Sequence, residues 1–61
     1  MIFLAVTVQT EPNTKAVIYP EGGVSYFYKR PDFPGWLCEE PEDVSPELEA
    51  LAMAVRAQLL A

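Results

Sequence analysis

Six carboxylates (Glu39, Glu40, Glu42, Asp43, Glu47 and Glu49) occupy the eleven positions from 39 to 49, with no Lys or Arg among them. They make up two-thirds of the nine acids in the chain. Such a run could hold a hard cation, move protons, or meet a positive surface. The first use is disfavoured, because the run lacks the alternating Asp/Asn ligands and the glycine of a calcium loop. The second is disfavoured because the chain has no His, the commonest general base near neutral pH. A lone Cys38, flanked by Glu39 and Glu40, has none of the basic neighbours that activate a nucleophilic thiol. Without a second Cys or a His it can form neither an internal disulfide nor a zinc site, and it reads as a small apolar residue. Gly22-Gly23 is a turn, since no phosphate-loop spacing surrounds it. The expectation is a protein without catalysis, metal or cofactor.

The third use remains. Asp43 and Glu47 near a helix start complement the helix dipole by roughly 0.3–1 kcal/mol each, and Glu49 is a third candidate for that role. Glu39, Glu40 and Glu42 lie upstream and are not explained this way. In an extended segment Glu40 and Glu42 would project to one side about 6.6–6.8 Å apart, from a rise of about 3.3–3.4 Å per residue. That spacing is comparable to successive phosphates along a nucleic-acid strand. A row of this kind would suit a groove lined by Lys and Arg; a merely solvated acidic loop is the competing reading. The net charge of −5 also repels free nucleic acid and favours basic protein surfaces.

The segment YFYKRPDFPGW sets Tyr26, Phe27, Tyr28, Phe33 and Trp36 beside Lys29 and Arg30. These are ingredients of a base-stacking platform, and single-strand binding through Tyr26, Tyr28 and Lys29 is the reading ranked last. A protein-facing patch anchored by Trp36 and Phe33 fits the overall charge better.

The elements that must position these groups are legible from patterning. Three strands are predicted at about residues 1–9, 15–19 and 24–30, separated by EPNT and PEGG turns that favour an antiparallel meander. Pro31, Pro34 and Pro41 mark residues 31–45 as an irregular acidic loop. Ser45-Pro46 is a helix start, and Leu48, Leu51, Ala52, Val55 and Leu59 form one stripe of a helix over about 46–60. The expected fold is α+β: one domain over 1–61, a three-stranded antiparallel sheet with a C-terminal helix on the face carrying Leu4 and Val6. The opposite sheet face would carry Phe3 and either Val24/Tyr26/Tyr28 or Ser25/Phe27/Lys29. Ala50, Met53, Ala54, Ala57 and Leu60 leave the helix a second apolar side. A chain of 61 residues buries only about 60% of its unfolded surface, so a partner or a weak homodimer is a source of added stability. The apolar start, MIFLAVTV, is far short of the ~20 residues that span a bilayer, and a cytoplasmic setting without membrane attachment is expected.

In size, acidity, β-β-β-α layout and the run Glu39-Glu40-x-Glu42-Asp43, the chain resembles the anti-CRISPR proteins of phages and mobile elements. The likeness is greatest to those acting on type I surveillance complexes. These proteins share no common motif, so the resemblance transfers no residue role. It implies stoichiometric, non-enzymatic inhibition of a host nucleic-acid-binding complex, often where that complex first engages target DNA. On this reading Glu39, Glu40, Glu42 and Asp43 supply the electrostatics, Glu47 or Glu49 the border, and Trp36 and Phe33 the apolar anchoring. A structural or adaptor module pairing through its helix or sheet face is the alternative.

Overall fold

A computed structural model describes residues 4–61. The elements are β1 (Val6–Glu11), β2 (Thr14–Ile18), β3 (Val24–Lys29), β4 (Trp36–Cys38), a 3₁₀ turn at Pro41–Asp43, and α1 (Pro46–Leu60). The strands form one antiparallel sheet in the order β1-β2-β3-β4. The fold is thus α+β, a meander with a C-terminal helix, but the sheet has four strands rather than three. The difference is β4, where Trp36, Leu37 and Cys38 pair with Lys29, Tyr28 and Phe27. Pro34 and Pro41 flank this short edge strand without falling inside it, so neither removes a ladder hydrogen bond. The stretch expected to be irregular therefore holds a strand and a helical turn.

The first strand is also displaced. It begins at Val6 and runs on to Glu11, because only Pro12 and Asn13 separate it from β2. Leu4 is 85% exposed and does not reach the core, against the expected pattern. Residues 1–3, including Ile2 and Phe3, lie outside the described residues.

The register decides which face each strand presents. Val8, Ala16 and Tyr26 stand side by side across β1, β2 and β3, as do Val6, Ile18 and Val24. Both rows point to the helix side, where Ala16, Ile18 and Tyr26 are buried together with Leu48 and Ala52 of α1. In β3 the helix-facing set is therefore Val24/Tyr26/Tyr28, and Ser25/Phe27/Lys29 takes the open face. The helix lies over β1 and β2. Of its expected stripe, Leu48 and Ala52 are buried and Val55 and Leu59 half-buried, while Leu51 is 36% exposed at the margin.

Both helix ends are fastened. Ser45 Oγ accepts the N–H of Leu48 at 3.2 Å, and Pro46 follows where no intrahelical donor is needed. At the other end Arg56 Nε donates to the carbonyl of Gly22 at 2.6 Å. Gly22 belongs to the β2–β3 turn, which is closed by Gly22 N–H to Tyr19 O (2.9 Å) and Tyr19 N–H to Gly23 O (2.8 Å).

Candidate functional site

The acidic run is divided among three local structures. Glu39 follows β4 directly; it is half-buried and its N–H donates to Tyr26 O at 2.8 Å. Glu40 is extended (φ −71°, ψ 140°), and its carbonyl accepts the Asp43 N–H at 2.9 Å. Glu42 and Asp43 lie in the 3₁₀ turn, and Glu47 and Glu49 in the first turn of α1, all exposed.

The expected row of evenly spaced carboxylates is not formed. Pro41 starts a turn of three residues per revolution instead of continuing the chain extended. Glu40 and Glu42 are therefore rotated relative to each other and do not repeat a phosphate spacing. What the fold brings together is different. Glu39 and Asp43 line a concavity of about 100 Å³ with Glu11, which arrives from the end of β1. Thr14, Tyr26, Phe27, Val44, Ser45 and Leu48 complete the lining. Glu40, Glu42, Glu47 and Glu49 are not part of it. No local signal marks Glu11; it reaches the site only through the tight β1–β2 turn and the register of the sheet.

Trp36 and Phe33 do not line this concavity. Trp36 is on the open sheet face with Phe27, and the two lysines sit against them. Lys15 Nζ is 4.3 Å from the Trp36 ring centre and 5.7 Å from that of Phe27, and Lys29 Nζ is 5.5 Å from Trp36. Contacts of this geometry contribute roughly 0.5–1 kcal/mol each at exposed sites. Phe33, 46% exposed, borders a wider, open groove of about 390 Å³ with Asn13, Lys29, Arg30 and Pro31. The stacking platform of Tyr26, Tyr28 and Lys29 is not formed either, because both tyrosines face the helix and Lys29 faces away.

The electrostatic consequence is a separation of charge. Among the described residues the single ion pair is Arg30–Asp32, at 2.9 Å and exposed. Arg56 is engaged with Gly22, and Lys15 and Lys29 with the aromatic rings. The carboxylates around the helix start thus have no basic side chain paired with them. Cys38 is free and exposed. Among the described residues no cluster of His, Cys, Asp or Glu could hold a metal ion, and no helix is long and apolar enough to cross a membrane.

Two residues of the lining carry unsatisfied hydroxyls. Tyr26 Oη and Thr14 Oγ1, with Thr10 Oγ1 nearby on β1, are buried without a hydrogen-bond partner. Each costs about 1–3 kcal/mol if it stays unpaired. Burial first, and then the negative charge of Glu49, push the Tyr26 hydroxyl above its usual 10.0. A group raised on folding contributes stability in full below the unfolded value and loses it as pH rises through the folded value. The contribution of Tyr26 is accordingly expected to be lost only as pH rises above about 10. A Tyr26→Phe chain should lose less stability over that range. Urea titrations of the two chains across the alkaline range check this, and an identical pH dependence would contradict it.

Comparison of the chain with protein-family models, curated proteins and solved structures gives no match.

Proposed function

We propose that this chain is a non-enzymatic interaction protein that docks on a basic, nucleic-acid-binding surface of a partner through the acidic start of its helix. The observation that carries the reading is the meeting of Glu39 and Asp43 with Glu11 at one concavity while every basic side chain is engaged elsewhere. Uncompensated like charges gathered at one end repel each other, and a Lys- or Arg-lined groove removes that cost on docking. Glu40, Glu42, Glu47 and Glu49 surround the contact and steer the approach. The resemblance to anti-CRISPR proteins suggests the partner class: a surveillance complex blocked before it engages target DNA. In place of a phosphate-spaced row, the recognition element is a charged concavity with an acidic surround.

Electrostatic steering raises association rates by about 10- to 1,000-fold and is screened over roughly 8–10 Å at ordinary ionic strength. The test is affinity capture from host lysate with the wild type and with a chain carrying Glu39→Gln, Glu40→Gln, Glu42→Gln and Asp43→Asn, each at low and high salt. The expected result is a nucleic-acid-binding complex held by the wild type only and released by salt. The wild type should also displace that complex's nucleic acid. Equal capture by both chains, indifferent to salt, would overturn the reading.

A second reading draws on the exposure of Met53 (41%) and Leu60 (49%) on the outer side of α1. It has the chain pairing with a copy of itself through that side. Its signature would be salt-insensitive self-association in analytical ultracentrifugation, abolished by Ala57→Glu and untouched by the loop substitutions.

A further inference from the structure

We infer that the concavity at the start of α1 is an anchor pocket for one arginine side chain of the partner, an inference that rests on the function proposed above. The lining is composed for a cation rich in donors. Glu11, Glu39 and Asp43 line it from three separate parts of the chain. Tyr26 and Thr14 line the same space, the hydroxyl of each is buried without a hydrogen-bond partner, and Tyr26 is nine-tenths buried, with 9% exposure. A buried polar side chain left unpaired in an otherwise well-packed core marks a position where a partner group is missing.

Size and shape select among cations. About 100 Å³ holds one side-chain head group or about three waters, at roughly 30 Å³ of liquid per water. A guanidinium is flat, presents five N–H donors in a fixed fork and stacks on aromatic rings. Several acceptors beside Tyr26 suit that group. A lysine ammonium is a compact charge with three donors and would leave more of these acceptors unused. A bare metal ion is a poorer fit, since no cluster of ligating side chains is formed among the described residues.

The experiment compares hexa-arginine and hexa-lysine peptides, equal in charge, binding to the isotope-labelled protein at fixed salt. The expected result is about tenfold tighter binding of the arginine peptide, with amide shifts centred on Glu11, Glu39 and Tyr26. Glu11→Gln, and separately Tyr26→Phe, should erase the preference for arginine while the backbone spectrum stays folded. Glu42→Gln, outside the pocket, should weaken both peptides alike. If the two peptides bind equally and Glu11→Gln behaves like Glu42→Gln, the anchor pocket is wrong, and the general acidic surface survives. If neither peptide binds, both the pocket and the proposed function fall.

Discussion

Leu48→Ala is expected to lower stability by about 2–5 kcal/mol, the range for truncating a buried leucine. Leu48 is 2% exposed and packs with Ala16, Tyr26 and Ala52, and Val8, Val24 and Val44 close around them. Among the described residues only Ile18 and Leu48 are large side chains buried completely, so little nearby mass can move in to fill the cavity. A domain of 61 residues has about 3–9 kcal/mol to lose, at roughly 0.05–0.15 kcal/mol per residue. One substitution thus removes a large part of it. The same side chain lines the acidic concavity, so the site should go with the fold. Urea denaturation followed by far-ultraviolet circular dichroism gives the number. Leu51→Ala, at a position 36% exposed, is the control and should cost clearly less. Equal losses for the two leucines would mean that the helix does not sit on the sheet as described.

Gly22→Ala is expected to cost about 1–2 kcal/mol from backbone conformation alone, because Gly22 has φ +99°, where an L side chain is strained. Space adds to the cost. A Cβ there would stand 3.3 Å from Leu60 Cδ1 and 3.7 Å from an Arg56 guanidinium nitrogen. To make room, the half-exposed Leu60 side chain must give by a few tenths of an ångström, beside the turn whose carbonyl Arg56 holds. Gly23→Ala is an internal control: its nearest neighbour, Glu21 Oε1, is 3.7 Å away, an ordinary contact, and its φ is not in the positive range. Thermal melts of the two variants should therefore separate, with Gly22→Ala lower. Binding at the other end of the helix should be unaffected at temperatures where both chains are folded. Coincident melts would remove the turn from the list of constraints on the helix.

The parts of the fold written in local chemistry were legible in the sequence. Ser45-Pro46 announces a helix start by capping rules, and the alternation of β2 and β3 needs only their own residues. The misreadings arose where long-range pairing decides. Trp36-Leu37-Cys38 is a strand only because β3 offers it an edge; alone, a tripeptide between prolines has no preference. Either alternating set of β3 contains aromatics, so its buried face is fixed by Ala16 standing opposite Tyr26. At the site, the crowding of acids after Glu39 was visible, whereas their arrangement was not. In sequence Pro41 reads as a breaker of regular structure, yet it fits the first position of a short helical turn. Glu11 gave no sign of membership, because a lone carboxylate beside a proline reads as an ordinary turn residue. Trp36 and Phe33, adjacent to the acidic run in sequence, are placed elsewhere by the pleat of β4 and by the β3–β4 loop.

The neighbour-to-neighbour strand order has a bearing on how the molecule assembles. Each hairpin of the meander joins strands that follow one another in the chain, so the entropy of loop closure is small at every step. Folding with such local pairings is fast for a sheet. The acidic concavity, by contrast, draws on the end of β1, the segment after β4 and the first turn of α1. Its lining joins segments that lie far apart along the chain. On the function proposed above, the recognising shape belongs to the complete fold alone, since an unfolded chain carries the same charges without it.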